Sequence, residues 1–66
     1  MKNSIKVERA RHDMTQADLA EKIGVSRQSI NAIEKGKYVP STILALKIAK
    51  LFKLSVEEIF QLDPED

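Results

Sequence analysis

Cysteine is absent from the 66 residues of this chain. That excludes disulfides and every thiolate metal site, and it fits a reducing compartment. A single histidine, His12, cannot build a zinc site without an unusual carboxylate shell, so no metal and no other cofactor is expected. No apolar stretch follows Met1-Lys2-Asn3, which argues against a signal peptide. The longest apolar cluster, Ile43 to Leu54, is broken by Lys47, Lys50 and Lys53, and it is too short and too charged to span a bilayer. The expectation is a soluble cytoplasmic protein with no membrane partner. The ingredients of catalysis are missing as well. Ser26, Ser41 and Ser55 each stand where a helix needs a cap, Glu57 and Glu58 are adjacent and diverge on a helix, and there is no Gly-rich phosphate loop. An enzyme is not expected.

Glycine and proline are scarce, two of each, and β-branched residues are scattered rather than alternating. What is present is apolar spacing at the helical period almost throughout. A chain of this length forms one domain, residues 1–66, with a small core that is marginal alone. Tight helix packing and a partner subunit are the remaining routes to stability.

Net charge is only +1, but its distribution is uneven. Residues 27–53 carry six Lys or Arg against one acid, Glu34, while residues 54–66 carry five acids and no base. A basic middle and an acidic end suit one surface for a polyanion and another kept away from it. A solvated surface with chance clustering would read the same way on charge alone.

Punctuation divides the chain into five helices. The first runs from about Ser4 to Arg11, with Asn3 or Ser4 as its cap. Thr15 opens the second, with Asp18 three residues on in a near capping box, and Gly24 ends it where a left-handed residue is wanted. Leu19, Ala20 and Ile23 form its apolar face. Ser26 caps the third, which runs to about Lys35 before Gly36. Ser41 caps a fourth through about Phe52, with Ala45, Ile48, Ala49 and Phe52 at helical spacing. Ser55-Val56-Glu57-Glu58 is a full capping box and starts a short fifth helix ending near Phe60.

The connection from the second helix to the third is the shortest and most specified, and it leads into the stretch 25–37, VSRQSINAIEKGK. Two helices joined by a three- to four-residue turn containing Gly is the helix-turn-helix plan. It needs a small residue at the close crossing (Ala20), a positive φ in the turn (Gly24), and an apolar clamp (Val25, Ile30 and Ile33). The outward face of the third helix is then free, and in this plan it lies in the DNA major groove. Arg27 can bridge the acceptors of guanine or hold a phosphate. Gln28 and Asn31 can read the donor–acceptor pair of adenine. Lys35, Lys37 and Tyr38 lie where a duplex backbone would pass. Gln16, at the first turn of the second helix, offers an amide to a phosphate. Such a face is also ordinary on any amphipathic helix. The joint spacing of Gln16, Ala20, Gly24, Val25, Ile30 and Ile33 is far less so.

The run TQADLAEKIGVSRQSINAIEKGKYVPS resembles the Cro/C1-type (lambda-repressor-like, XRE-type) helix-turn-helix regulators, over roughly residues 4–60. The resemblance implies an all-α, compact five-helix domain and sequence-specific binding of double-stranded DNA. It implies repression as the usual outcome, and a homodimer on a palindromic operator. It carries phosphate contact to Gln16, base contact to Arg27 and Gln28 with Ser29 and Asn31 beside them, and backbone contact to Lys35, Lys37 and Tyr38. It also pairs Arg9 with Glu34, a carboxylate that makes little sense facing a polyanion and good sense as a structural partner.

There are departures from the family pattern. Glu8 stands where many relatives have an apolar residue, with Val7 expected to supply that packing. Lys53 replaces a helix-ending Gly. Ala32 stands where some relatives carry a base-reading amide. Ile59, Phe60 and Leu62 are expected as dimer contacts, with Gln61–Asp63 pairing Lys2–Asn3 as a short strand. The rival function is a protein-interaction or antitoxin-type module on the same fold, which would have no need of Lys35, Lys37 and Tyr38 together. No small-molecule ligand is expected, since no sensor segment is present.

Overall fold

In the computed structural model, which describes residues 1–66, five helices enclose one core and the two ends of the chain meet as a two-stranded ribbon. Helix α1 spans Ile5–Arg11, α2 Gln16–Ile23, α3 Arg27–Glu34, α4 Thr42–Phe52 and α5 Val56–Ile59. Strand β1 is Lys2–Asn3 and β2 is Phe60–Gln61. No helix is long and apolar enough to cross a membrane.

The caps work as their side chains dictate. The hydroxyls of Thr15, Ser26, Ser41 and Ser55 each accept from the backbone N–H three residues on. Asp18 and Glu58 close the boxes by accepting from the N–H of Thr15 and Ser55. The bond from the Thr15 N–H holds the Asp18 carboxyl below its usual range. Helix α1 differs. The Ser4 side chain makes no cap bond, and Asn3 does the work by accepting from the Ile5 N–H at 3.2 Å.

Gly24 takes φ 77° and lets α2 turn into α3, its N–H donating to the Ala20 carbonyl at 2.9 Å. Lys53 closes α4 in the same left-handed conformation, φ 58°, without the freedom of glycine. Ile5, Leu19, Ile30, Ile33, Ile48 and Ile59 are wholly buried, so every helix sends at least one large side chain inward. Leu44, not Ala45, is the first buried residue of α4; Ala45 packs at the core's edge.

Two expectations change. Val7 is exposed and Glu8 is buried. Helical phase explains it: Glu8 lies three residues from Ile5 and shares its inward face, while Val7 is turned away. The Glu8 carboxylate is held by Arg11 Nη1 at 3.1 Å. The tail strand begins one residue early. Phe60 faces Asn3 and Gln61 faces Lys2, antiparallel, and Asp63 lies beyond the ladder. The capping box at Ser55 starts α5, the helix ends at Ile59, and Phe60 becomes extended so that its ring enters the core.

Candidate nucleic-acid interface

Helix α3 is held from behind at both ends of its inner face. Ile30 and Ile33 are buried against the core. At the helix end, Arg9 grips Glu34 with two parallel bonds, Nε to Oε2 at 2.6 Å and Nη2 to Oε1 at 3.0 Å. The third guanidinium edge donates to the Met14 carbonyl at 3.0 Å. The side chains of Arg9 and Glu34 keep only 13 % and 7 % of their surface. Such a two-pronged, desolvated pair fixes geometry as well as charge. The Glu34 carboxylate also raises the Arg9 guanidinium above its already high ordinary pKa.

Two further ties went unread in the sequence. Gln16 Nε2 donates to Glu34 Oε1 at 3.2 Å, which fastens the first turn of α2 to the end of α3. Asn3 Nδ2 donates to the Ile33 carbonyl at 2.9 Å, which joins the terminal ribbon to the same helix end. Neither has a local signal, since the partners are 18 and 30 residues apart.

The outer face is different. Gln28, Asn31, Ala32 and Lys35 recur at helical spacing and line one shallow groove with Lys37, about 210 Å³ in volume. Arg27 is exposed at the first turn of α3, outside that groove. The chain's ion pairs use Met1, Lys2, Arg9 and Arg11 as cations, so Arg27, Lys35 and Lys37 remain unpaired. Ser29 is half-buried, and its hydroxyl lies 2.9 Å from that of Ser26. Tyr38 is exposed but lines a separate groove with Gly24, Val25, Ser41 and Lys47. The structure therefore brings Gln28, Asn31, Lys35 and Lys37 together. Arg27 and Tyr38 stand on their flanks, Ser29 on the border, and Gln16 against Glu34. Ala32 forms part of the groove, so its small side chain leaves room between Gln28 and Lys35.

The expected dimer contacts separate. Ile59 is fully buried in this chain's own core and offers a partner nothing; Phe60 is nearly so and shows only an edge, in the wall of a surface groove; Leu62 alone is exposed. The residues that close a short terminal ribbon are needed to seal the core beneath it.

Comparison with known proteins agrees with this geometry. A family model described as helix-turn-helix matches residues 5–59. An uncharacterized HTH-type transcriptional regulator of Methanocaldococcus jannaschii is 63 % identical over 60 residues, 91 % of each chain. An uncharacterized HTH-type transcriptional regulator of Bacillus subtilis, YgzD, is 52 % identical over 66 residues, the whole of both chains. Among solved structures, the restriction-modification controller protein C.AhdI of Aeromonas hydrophila superposes with a TM-score of 0.76 at 25 % identity, covering 85 % of each chain. With its Gly24 turn, its clamped α3 and these relatives, the chain belongs to the helix-turn-helix transcriptional regulators of the Cro/C1 (XRE) type, a DNA-binding family.

Proposed function

We propose that this regulator is a cytoplasmic repressor that binds a palindromic operator as a homodimer, with the whole of residues 1–66 acting as one helix-turn-helix domain. The groove of Gln28, Asn31, Ala32, Lys35 and Lys37 carries the reading: amide and ammonium groups share one face of α3, and that face has no cationic side chain engaged within the chain. Gln28 and Asn31 suit base edges in the major groove, and Arg27 suits a guanine or a phosphate at the helix start. Lys35, Lys37 and Tyr38 suit the sugar–phosphate backbone, which positions the helix without specifying sequence. Gln16 joins them by exchanging Glu34 for a phosphate oxygen, or by offering its second amide hydrogen while keeping the first bond. Ser29 acts through Ser26 and the start of α3. Ala32, with no polar group, reads at most a thymine methyl.

Selection of the purified protein on a random duplex library tests this reading. A palindrome with half-site centres about one helical turn apart is the expected product. Isolated half-sites would remove the dimer from the proposal. Binding without enrichment would remove sequence specificity, and no binding at all would put the protein-interaction module in its place.

A further inference from the structure

Four of the five grooves on the surface are lined in part by lysines or carboxylates. The remaining one, about 200 Å³, has walls from Met1, Val39, Pro40, Leu46, Val56 and Phe60 and holds no Lys, Arg, Asp or Glu side chain. It continues onto open apolar surface. Val39 is 65 % exposed and Leu46 56 %, and Ile43, three residues before Leu46 on α4 and on the border with the groove of Tyr38 and Lys47, is 69 % exposed. On a chain in which 32 % of residues are charged, such a cluster marks an interaction site rather than ordinary surface.

We propose that this strip, from Val39 along the first half of α4, is where a second copy of the chain docks about a two-fold axis. The proposal rests on the dimeric reading above and gives it a surface. A two-fold contact sets a patch against itself, so any charge at its centre meets a like charge. This is the one groove with no Lys, Arg, Asp or Glu in its lining, and the ammonium of Met1 in its wall is already paired with Asp63 and Asp66. The acidic tail fails it: residues 54–66 hold five acids and no base, and a tail-to-tail contact would oppose them. A stable contact takes about 800 Å² from each partner. That is a large share of the 4575 Å² this small chain exposes, and a patch centred elsewhere would desolvate lysines or carboxylates.

Position adds a second reason. Val39 directly follows Lys37 and Tyr38. An axis beside it makes the two basic loops neighbours and sets the two α3 helices at equal distances from the centre. A palindrome demands that arrangement. Leu46 extends the contact along α4, Ile43 borders the groove of Tyr38, and Leu62 is not part of the apolar groove's lining.

Sedimentation of the full chain, alone and with the selected duplex, tests the assignment. The comparison is between wild type, Val39→Glu/Leu46→Glu and Leu62→Glu, with circular dichroism to follow the fold. The double variant is expected to keep its helical signal and to raise the dimer dissociation constant by at least about 30-fold, the size of losing a central anchor. It should still bind a single half-site in a salt-dependent way. Leu62→Glu is expected to remain dimeric. Ile43→Glu covers the case in which the double change unfolds the chain, and it too should dissociate the dimer. A folded double variant or Ile43→Glu that stays dimeric would overturn the surface, as would dissociation by Leu62→Glu. A wild type that is monomeric both free and on the duplex would overturn the dimeric reading itself.

Discussion

Glu34 and Lys35 are neighbours at the end of α3, and the fold treats them in opposite ways. Glu34 accepts two bonds from Arg9 and one from Gln16 and is almost dry. Lys35 has no ion-pair partner and faces the groove shared with Gln28, Asn31 and Lys37. The same contrast runs along the whole helix. Its inner edge is tied to α1, α2 and the terminal ribbon by Arg9, Gln16 and Asn3, each bonded within the chain. Its outer face keeps such groups available. A reading helix needs both: an outer face free to form new bonds, and an inner edge stiff enough that forming them does not cost the ordering of the helix itself.

The largest expected effect comes from breaking the inner edge. Glu34→Ala strands the Arg9 guanidinium in a nearly dry site and should cost about 3–5 kcal/mol of stability, read by urea unfolding. Lys35→Ala, one residue on, should stay within about 0.5 kcal/mol. Similar costs for the two would erase the distinction. On the outer face, Gln28→Ala should leave stability within about 0.5 kcal/mol but lose about 1–3 kcal/mol of binding on the selected duplex and flatten preference at one position. Lys37→Ala should instead weaken all duplexes alike and lower the salt slope by about one. If these two variants behave the same, base reading and backbone holding are not divided as proposed. Ser29 sits on the border and sharpens it. Removing its bond to Ser26 by Ser29→Ala should cost about 0.5–1 kcal/mol of stability, while Ser26 still caps α3. A binding loss larger than that would move Ser29 to the outer face.

What is legible in the sequence is largely local. Thr15, Ser26, Ser41 and Ser55 mark helix starts because each hydroxyl needs only an N–H three residues away. Gly24 marks the turn because few other residues tolerate its φ. The Gln28–Asn31–Lys35 face follows from helical spacing, as does the inward set of Leu19, Ile23, Ile30 and Ile33. What differs depends on packing. Hydrophobicity favours Val7 over Glu8, but the phase of α1 relative to Ile5 decides which side is inward, and Arg11 compensates the buried carboxylate. Ile59 and Phe60 have no local apolar partners in the sequence, because the core that covers them is completed by the opposite end of the chain, where Asn3 pairs with Phe60 and the Ser4 N–H donates to the Ile59 carbonyl.

By itself, then, the order of residues determined the five helices, their caps, the turn at Gly24 and the polar face of α3, since each depends on neighbours within about one helical turn. The Arg9–Glu34 pair is an expectation of the family resemblance; tertiary structure alone decided that Gln16 joins Arg9 on Glu34, that Asn3 reaches the Ile33 carbonyl, and that Phe60 closes the core instead of facing outward. Those contacts join residues far apart in the chain. Their existence depends on how the helices cross, and that is set when the whole core packs, not by any segment of it.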